Sequence, residues 1–121
     1  MRIKRKIYGQ IANFGCVCGQ VRIIQRMKDL SKVKSGDILV MHIIDSEFIT
    51  IFQKIGAIIT DIGGITSHAA VLSREFNIPC IVDTKNATQV LQNGDWIKVD
   101  ANNGAIEILE QVKNVIKFTL S

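Results

Sequence analysis

The stretch Gly63-Gly64-Ile65-Thr66-Ser67-His68-Ala69-Ala70 constrains this chain more than any other. Before it, Ile55 to Thr60 (I-G-A-I-I-T) reads as a short buried strand. After it, Val71-Leu72-Ser73-Arg74-Glu75-Phe76 carries apolar residues at helical spacing, and Asn77 and Pro79 supply stop signals. The context is therefore strand, glycine turn and helix start, with His68 in the first turn of the helix.

That position has a specific chemistry. The first turn of a helix has unpaired backbone N–H groups and a partial positive charge, so it attracts anions. The same field disfavours a positive charge on an imidazole, so a neutral ring with a free lone pair is expected at His68. Gly63 and Gly64 lack a Cβ and tolerate positive φ, which lets the backbone approach whatever the ring binds. A nitrogen nucleophile beside an anion-binding turn suits the acceptance and return of a phosphoryl group. Read locally, the same residues also fit a histidine that does no more than cap a helix. Thr66 and Ser67 carry hydroxyls that could cap the helix or donate to a phosphoryl oxygen. A serine-hydrolase pairing of Ser67 with His68 fails, because adjacent helical side chains diverge by about 100°.

The run T-D-I-G-G-I-T-S-H-A-A-V-L-S-R-E-F-N-I-P-C-I-V, Thr60 to Val82, resembles the phosphohistidine (mobile, swivelling) domain of the phosphoenolpyruvate-utilising enzymes. These include phosphoenolpyruvate synthase, pyruvate phosphate dikinase and rifampicin phosphotransferase. Gly9 to Ile24 resembles the family's opening strand segment, Gly36-Asp37-Ile38-Leu39-Val40 its G-D-I-L-V strand, and Gly94 to Ile108 its closing hairpin. The likeness covers about residues 8 to 109 in the right order. It implies an α/β fold, the swivelling β/β/α phosphohistidine domain, as one compact domain over 1–121 with a core at about 8–109 and a tail at 110–121.

The resemblance also implies roles. The matching histidine of the family is phosphorylated on a ring nitrogen, and the domain swings to carry the group between two distant sites. His68 is thereby the expected acceptor, with Gly63, Gly64, Thr66 and Ser67 supporting the phosphate and no metal ligands of its own. Thr66 matches a regulatory phosphorylation site of plant-type dikinases, but that regulation needs a dedicated kinase. Partner domains are expected: an ATP-grasp domain holding ATP and Mg²⁺, and a phosphoenolpyruvate/pyruvate barrel or other acceptor site. The chain would be a phosphotransferase component that turns nothing over alone. The competing reading is a binding or regulatory module that keeps the fold without phosphotransfer. Two departures bear on partners: many relatives have Gly at the position of Asp83, and many carry Pro in the segment matching Ile43 to Ile51, which here has none.

Composition narrows the alternatives. A chain of 121 residues has room for one core. Nearly half its residues are hydrophobic and few are aromatic, as in a β-rich α/β domain. No apolar run approaches the roughly 20 residues that cross a bilayer, and no long apolar segment follows the basic start M-R-I-K-R-K, so a soluble cytoplasmic protein is expected. The net charge of +4 comes from scattered Lys and Arg rather than a basic stripe, which argues against nucleic-acid binding. Cys16, Cys18 and Cys80 lack paired metal-site spacing and are expected to be small buried apolar residues.

The remaining elements follow from pattern. Ile7 to Asn13 and Gly19 to Gln25 read as strands around a Gly15–Gly19 turn, and Met27 to Val33 as a short polar helix or turn. Asp37 to Ile44 reads as a buried strand, which makes His42 structural and Met41 core. Ser46 can cap a helix from Glu47 to Lys54 that includes Phe48. Ile78 to Val82 is a further strand, and Asn86 or Thr84 caps a helix through Leu91. Trp96 to Ala101 and Ala105 to Leu109 alternate around Asn102-Asn103-Gly104, a strong hairpin signal. Asp61 is expected to brace the glycine turn, and Arg74 to be a surface or docking group.

Overall fold

The computed structural model of the chain describes residues 5–44 and 53–112. The helix expected from Glu47 falls mainly outside these residues, as does the tail beyond residue 112. Among the described residues the chain forms strands β1 (Lys6–Tyr8), β2 (Gln10–Asn13), β3 (Cys16–Ile24), β4 (Ile38–Met41), β5 (Ala57–Thr60), β6 (Cys80–Val82), β7 (Trp96–Asp100) and β8 (Ala105–Glu110). Helix α1 spans His68–Phe76, α2 spans Ala87–Val90, and Met27–Lys32 is a 3-10 turn.

The strands lie in the order β1, β8, β7, β3, β4, β5, β6, β2. Strand β3 joins two unlike halves. Its first part, Cys16 to Gln20, pairs antiparallel with β7, and its second part, Val21 to Ile24, pairs parallel with β4. Strands β4, β5 and β6 continue the parallel set, whereas β7, β8 and β1 form an antiparallel meander.

The parallel strands are buried on both faces, which is why they read as unbroken apolar runs. Along β4 and β5, Ile38, Val40, Ala57 and Ile59 point into a core shared with Ile97, Val99, Ile106 and Ile108 of the antiparallel half. Leu39, Met41 and Ile58 point the other way, into a second core with Ala69, Ala70 and Leu72 of α1. The layers are thus strands, strands, helix, the β/β/α arrangement. Each fully buried Ile or Leu contributes roughly 1.5–3 kcal/mol through removal from water.

Two expectations fail for one reason, the pleat of β3. Gly19 does not turn the chain; it lies inside the strand, where a Cβ would come 2.7 Å from the Gly36 carbonyl oxygen. The glycine is there for that close approach. Cys16 and Cys18 are exposed rather than buried, because alternation turns them outward with Gln20 while Gly19 and Val21 face in. Cys80 is buried as expected.

Candidate functional site

Parallel strands end on a common edge, and here the loops after β4, β5 and β6 meet there. Ligands of open α/β sheets bind at such an edge. The loop after β5 carries the glycine pair. Gly63 has φ of 120°, and a Cβ on it would stand 3.3 Å from the Ser67 side chain, so a glycine is required. Beside Gly64 a Cβ would meet nothing within 4 Å.

Ser67 starts α1. Its Oγ accepts from the Ala70 N–H at 3.4 Å and donates to the Gly64 carbonyl at 2.7 Å, so one hydroxyl caps the helix and closes the loop. His68 is the first helical residue and is exposed. Helix geometry leaves the first-turn amides of His68 and Ala69 without an intrahelical acceptor. Thr66 is exposed and makes no cap contact; the cap belongs to Ser67. Asn77 stops the helix in the left-handed conformation, at φ of 54°.

Asp61 ties the edge together. Its amide donates to the Met41 carbonyl at 3.0 Å, and its carbonyl accepts from Lys85 N–H at 2.8 Å. One carboxylate oxygen accepts from Thr88 N–H at 2.9 Å; the other accepts from the Thr88 hydroxyl and from His42 Nδ1, the latter at 3.1 Å. This buried carboxylate therefore braces the glycine turn against β4, the loop after β6 and α2. Two further hydrogen bonds reinforce it: Thr60 Oγ1 donates to the Ile62 carbonyl at 2.8 Å, and Thr84 Oγ1 to the Thr60 carbonyl at 3.0 Å.

His42 differs from expectation, and Arg74, exposed as expected, makes contacts the sequence did not suggest. Strand β4 ends at Met41, so His42 turns out of the core and is exposed. Arg74 points back along its helix: Nη2 donates to the Ile65 carbonyl of the loop, and Nε to the Ala12 carbonyl of β2 at 3.2 Å. It fixes the loop from nearly two turns away. None of these three contacts carries a sequence signal, since the partners lie 19, 62 and 9 residues apart.

Around this edge Ile43, Ile62, Ile65 and Val71 are exposed. Asp83 and Lys85 both adopt left-handed backbone, with φ of 57° and 80°, and their side chains pair at 2.9 Å. Where Asp83 stands, a glycine would meet no strain. Among the described residues no helix is long and apolar enough to cross a membrane, and no three His, Cys, Asp or Glu gather into a metal site.

Comparison with known proteins places the chain in a family. A probable phosphoenolpyruvate synthase of Methanothermobacter thermautotrophicus is 40% identical over 100 residues, which is 83% of this chain and 15% of that protein. The rifampicin phosphotransferase of Bacillus cereus is 36% identical over 103 residues, 85% of this chain and 12% of that protein. The chain thus spans a small part of these relatives' length. Among solved structures, Enzyme I superposes with a TM-score of 0.58 at 25% identity over 74% of this chain and 37% of its own. Thermococcus kodakaraensis aconitase X shares the fold, with a TM-score of 0.66 at 21% identity, over 88% of this chain and 99% of its own. The family model of the PEP-utilising enzyme mobile domain matches residues 33–104, more than half of the sequence. The chain belongs to the family of PEP-utilising enzyme mobile domains.

Proposed function

We propose that this chain is a phosphoryl-carrier domain in which His68 is transiently phosphorylated. The observation that carries the reading is the placement of His68: exposed, first in a helix capped by Ser67, directly after a glycine loop, and within the region that matches the family. A neutral imidazole attacks phosphorus, and once phosphorylated it is a cationic leaving group, so the N–P bond forms and breaks with modest barriers. The free amides of the first turn would steady the phosphoryl oxygens, and the open side of Gly64 leaves them room. Ser67 acts through the cap; Thr66, exposed beside it, is free to donate to a phosphoryl oxygen.

The donor and acceptor sites belong to partner domains in this reading: an ATP-grasp domain with ATP and Mg²⁺, and a phosphoenolpyruvate/pyruvate or other acceptor domain. The exposed Ile43, Ile62, Ile65 and Val71 around His68 suit repeated docking on such partners. A cytoplasmic location follows from the substrates. The test supplies partner domains of a related phosphoenolpyruvate synthase with labelled ATP or phosphoenolpyruvate. Wild type is expected to acquire an acid-labile, base-stable phosphate that His68→Ala does not; equal labelling of the two would end the proposal.

A further inference from the structure

His42 takes no part in the chemistry proposed for His68, yet it is the histidine with a carboxylate behind it. Its side chain is 66% exposed, while that of Asp61 is 5% exposed, and Nδ1 lies 3.1 Å from Asp61 Oδ2. A carboxylate accepts only, so in the neutral form of the ring the proton sits on Nδ1 and the lone pair on Nε2. Thr88 bonds both oxygens of Asp61, its N–H donating to Oδ1 and its hydroxyl to Oδ2, and fixes the carboxylate's orientation. Among the described residues nothing bonds Nε2.

His42 also stands on the edge that presents His68. Met41 and Thr60 are partners in the register of β4 and β5, so His42 and Asp61 step off neighbouring strands together. The Ile62 amide then donates to the His42 carbonyl at 3.0 Å, at the entrance to the glycine loop. From these contacts we infer that His42 is a second phosphoryl-accepting imidazole, taking the group on Nε2 from a nitrogen-bound phosphoryl donor. In the cell the supply of such a donor rests on the carrier reading; the chemistry at His42 does not.

The step balances without a further reactant. The Nε2 lone pair forms a bond to phosphorus as the bond from phosphorus to the donor nitrogen breaks. The donor nitrogen keeps that electron pair and takes a proton from water. The ring retains its proton on Nδ1 and becomes a cation against the Asp61 carboxylate. That hydrogen bond is charge-assisted on both sides, about twice as strong as a neutral one, so Asp61 stabilises the phosphorylated ring more than the empty one.

The experiment uses the chain alone with potassium phosphoramidate, a small donor, and maps phosphate by mass spectrometry under alkaline conditions. His68→Gln is expected to accept one phosphoryl group, on His42. Adding Asp61→Asn slows that labelling by about tenfold, as for other groups that orient a ligating or reacting histidine. No phosphate on His42, or unchanged labelling with Asp61→Asn, overturns the inference. If Asp61→Asn does not fold, native and urea-unfolded His68→Gln are compared: faster labelling of His42 in the native chain supports the pair, and equal or slower labelling overturns it. Phosphoramidate needs no partner domain, so failure at His42 leaves the partner-dependent labelling of His68 untouched, and the reverse holds.

Discussion

The two histidines of this chain stand on one edge of the sheet and are held in opposite ways. His68 opens α1, beside free amides and the positive end of the helix, with no carboxylate against it among the described residues. His42 leaves the end of β4 and is held through Nδ1 by buried Asp61, itself bonded to Thr88. The first setting offers backbone amides to the oxygens of a phosphoryl group; the second fixes the orientation of the ring and sets a carboxylate against its Nδ1. The difference teaches that one loop can present a carrier while its brace orients a second ring.

The largest expected effect separates the two outright. His68→Ala abolishes partner-dependent labelling, whereas His42→Gln leaves it near wild type, as read by phosphate incorporation per chain. Equal losses in both would erase the contrast. Next comes the scaffold beneath them: Ile59→Ala, in the core between the two halves of the sheet, should cost about 2–5 kcal/mol in urea unfolding. Below the transition its labelling of His68 should persist, which shows that the site needs the fold and not this side chain.

Asp61→Asn tests the brace. It weakens bonds to His42 and Thr88 together, and about 1–3 kcal/mol of stability should be lost. Labelling of His68 should fall less than labelling of His42. Ser67→Ala has the reverse bias: removing the cap should cost about 1 kcal/mol and slow labelling of His68 alone.

The smallest effect is a silent thiol. Burial pushes the Cys80 thiol up to about 12 from its ordinary 9.0, and its Sγ lies under α1, 3.9 Å from the Ala69 carbonyl. Because the raised value favours the neutral thiol in the fold, this contribution is intact below pH 9.0 and is lost only as pH rises toward the folded value. At pH 8, Cys16 and Cys18 should react with a thiol reagent at once, and Cys80 only on unfolding. Arg74→Ala, which frees the loop from β2, should expose Cys80 sooner than wild type if α1 loosens with it.

Much of this architecture was legible because it is written in local pattern. The apolar runs of β4, β5 and β6 announce strands buried on both faces, and Asn102-Asn103-Gly104 announces the β7–β8 turn. Ser67, Asn77 and Pro79 bracket α1. What escaped depends on contacts distant in sequence. Gly19 reads as a turn until Gly36 is seen against it, and the cysteines of β3 read as core until the strand's outward face is known. His42 sits in a run expected to continue as strand to Ile44, whereas β4 ends three residues earlier, at Met41. Its pairing with Asp61, and the reach of Arg74 to Ile65 and Ala12, come from topology and leave no periodic trace.

Whether His68 carries phosphate is read most directly by a pulse and a chase. The chain is charged from labelled phosphoenolpyruvate through the acceptor domain of a related synthase, repurified, and then offered pyruvate with that same domain. One acid-labile phosphoryl group should map to His68 and pass to pyruvate within the chase, while His68→Ala remains unlabelled throughout. Label that stays on the wild-type chain when pyruvate arrives, or that His68→Ala acquires equally, would contradict a carrier role for this ring.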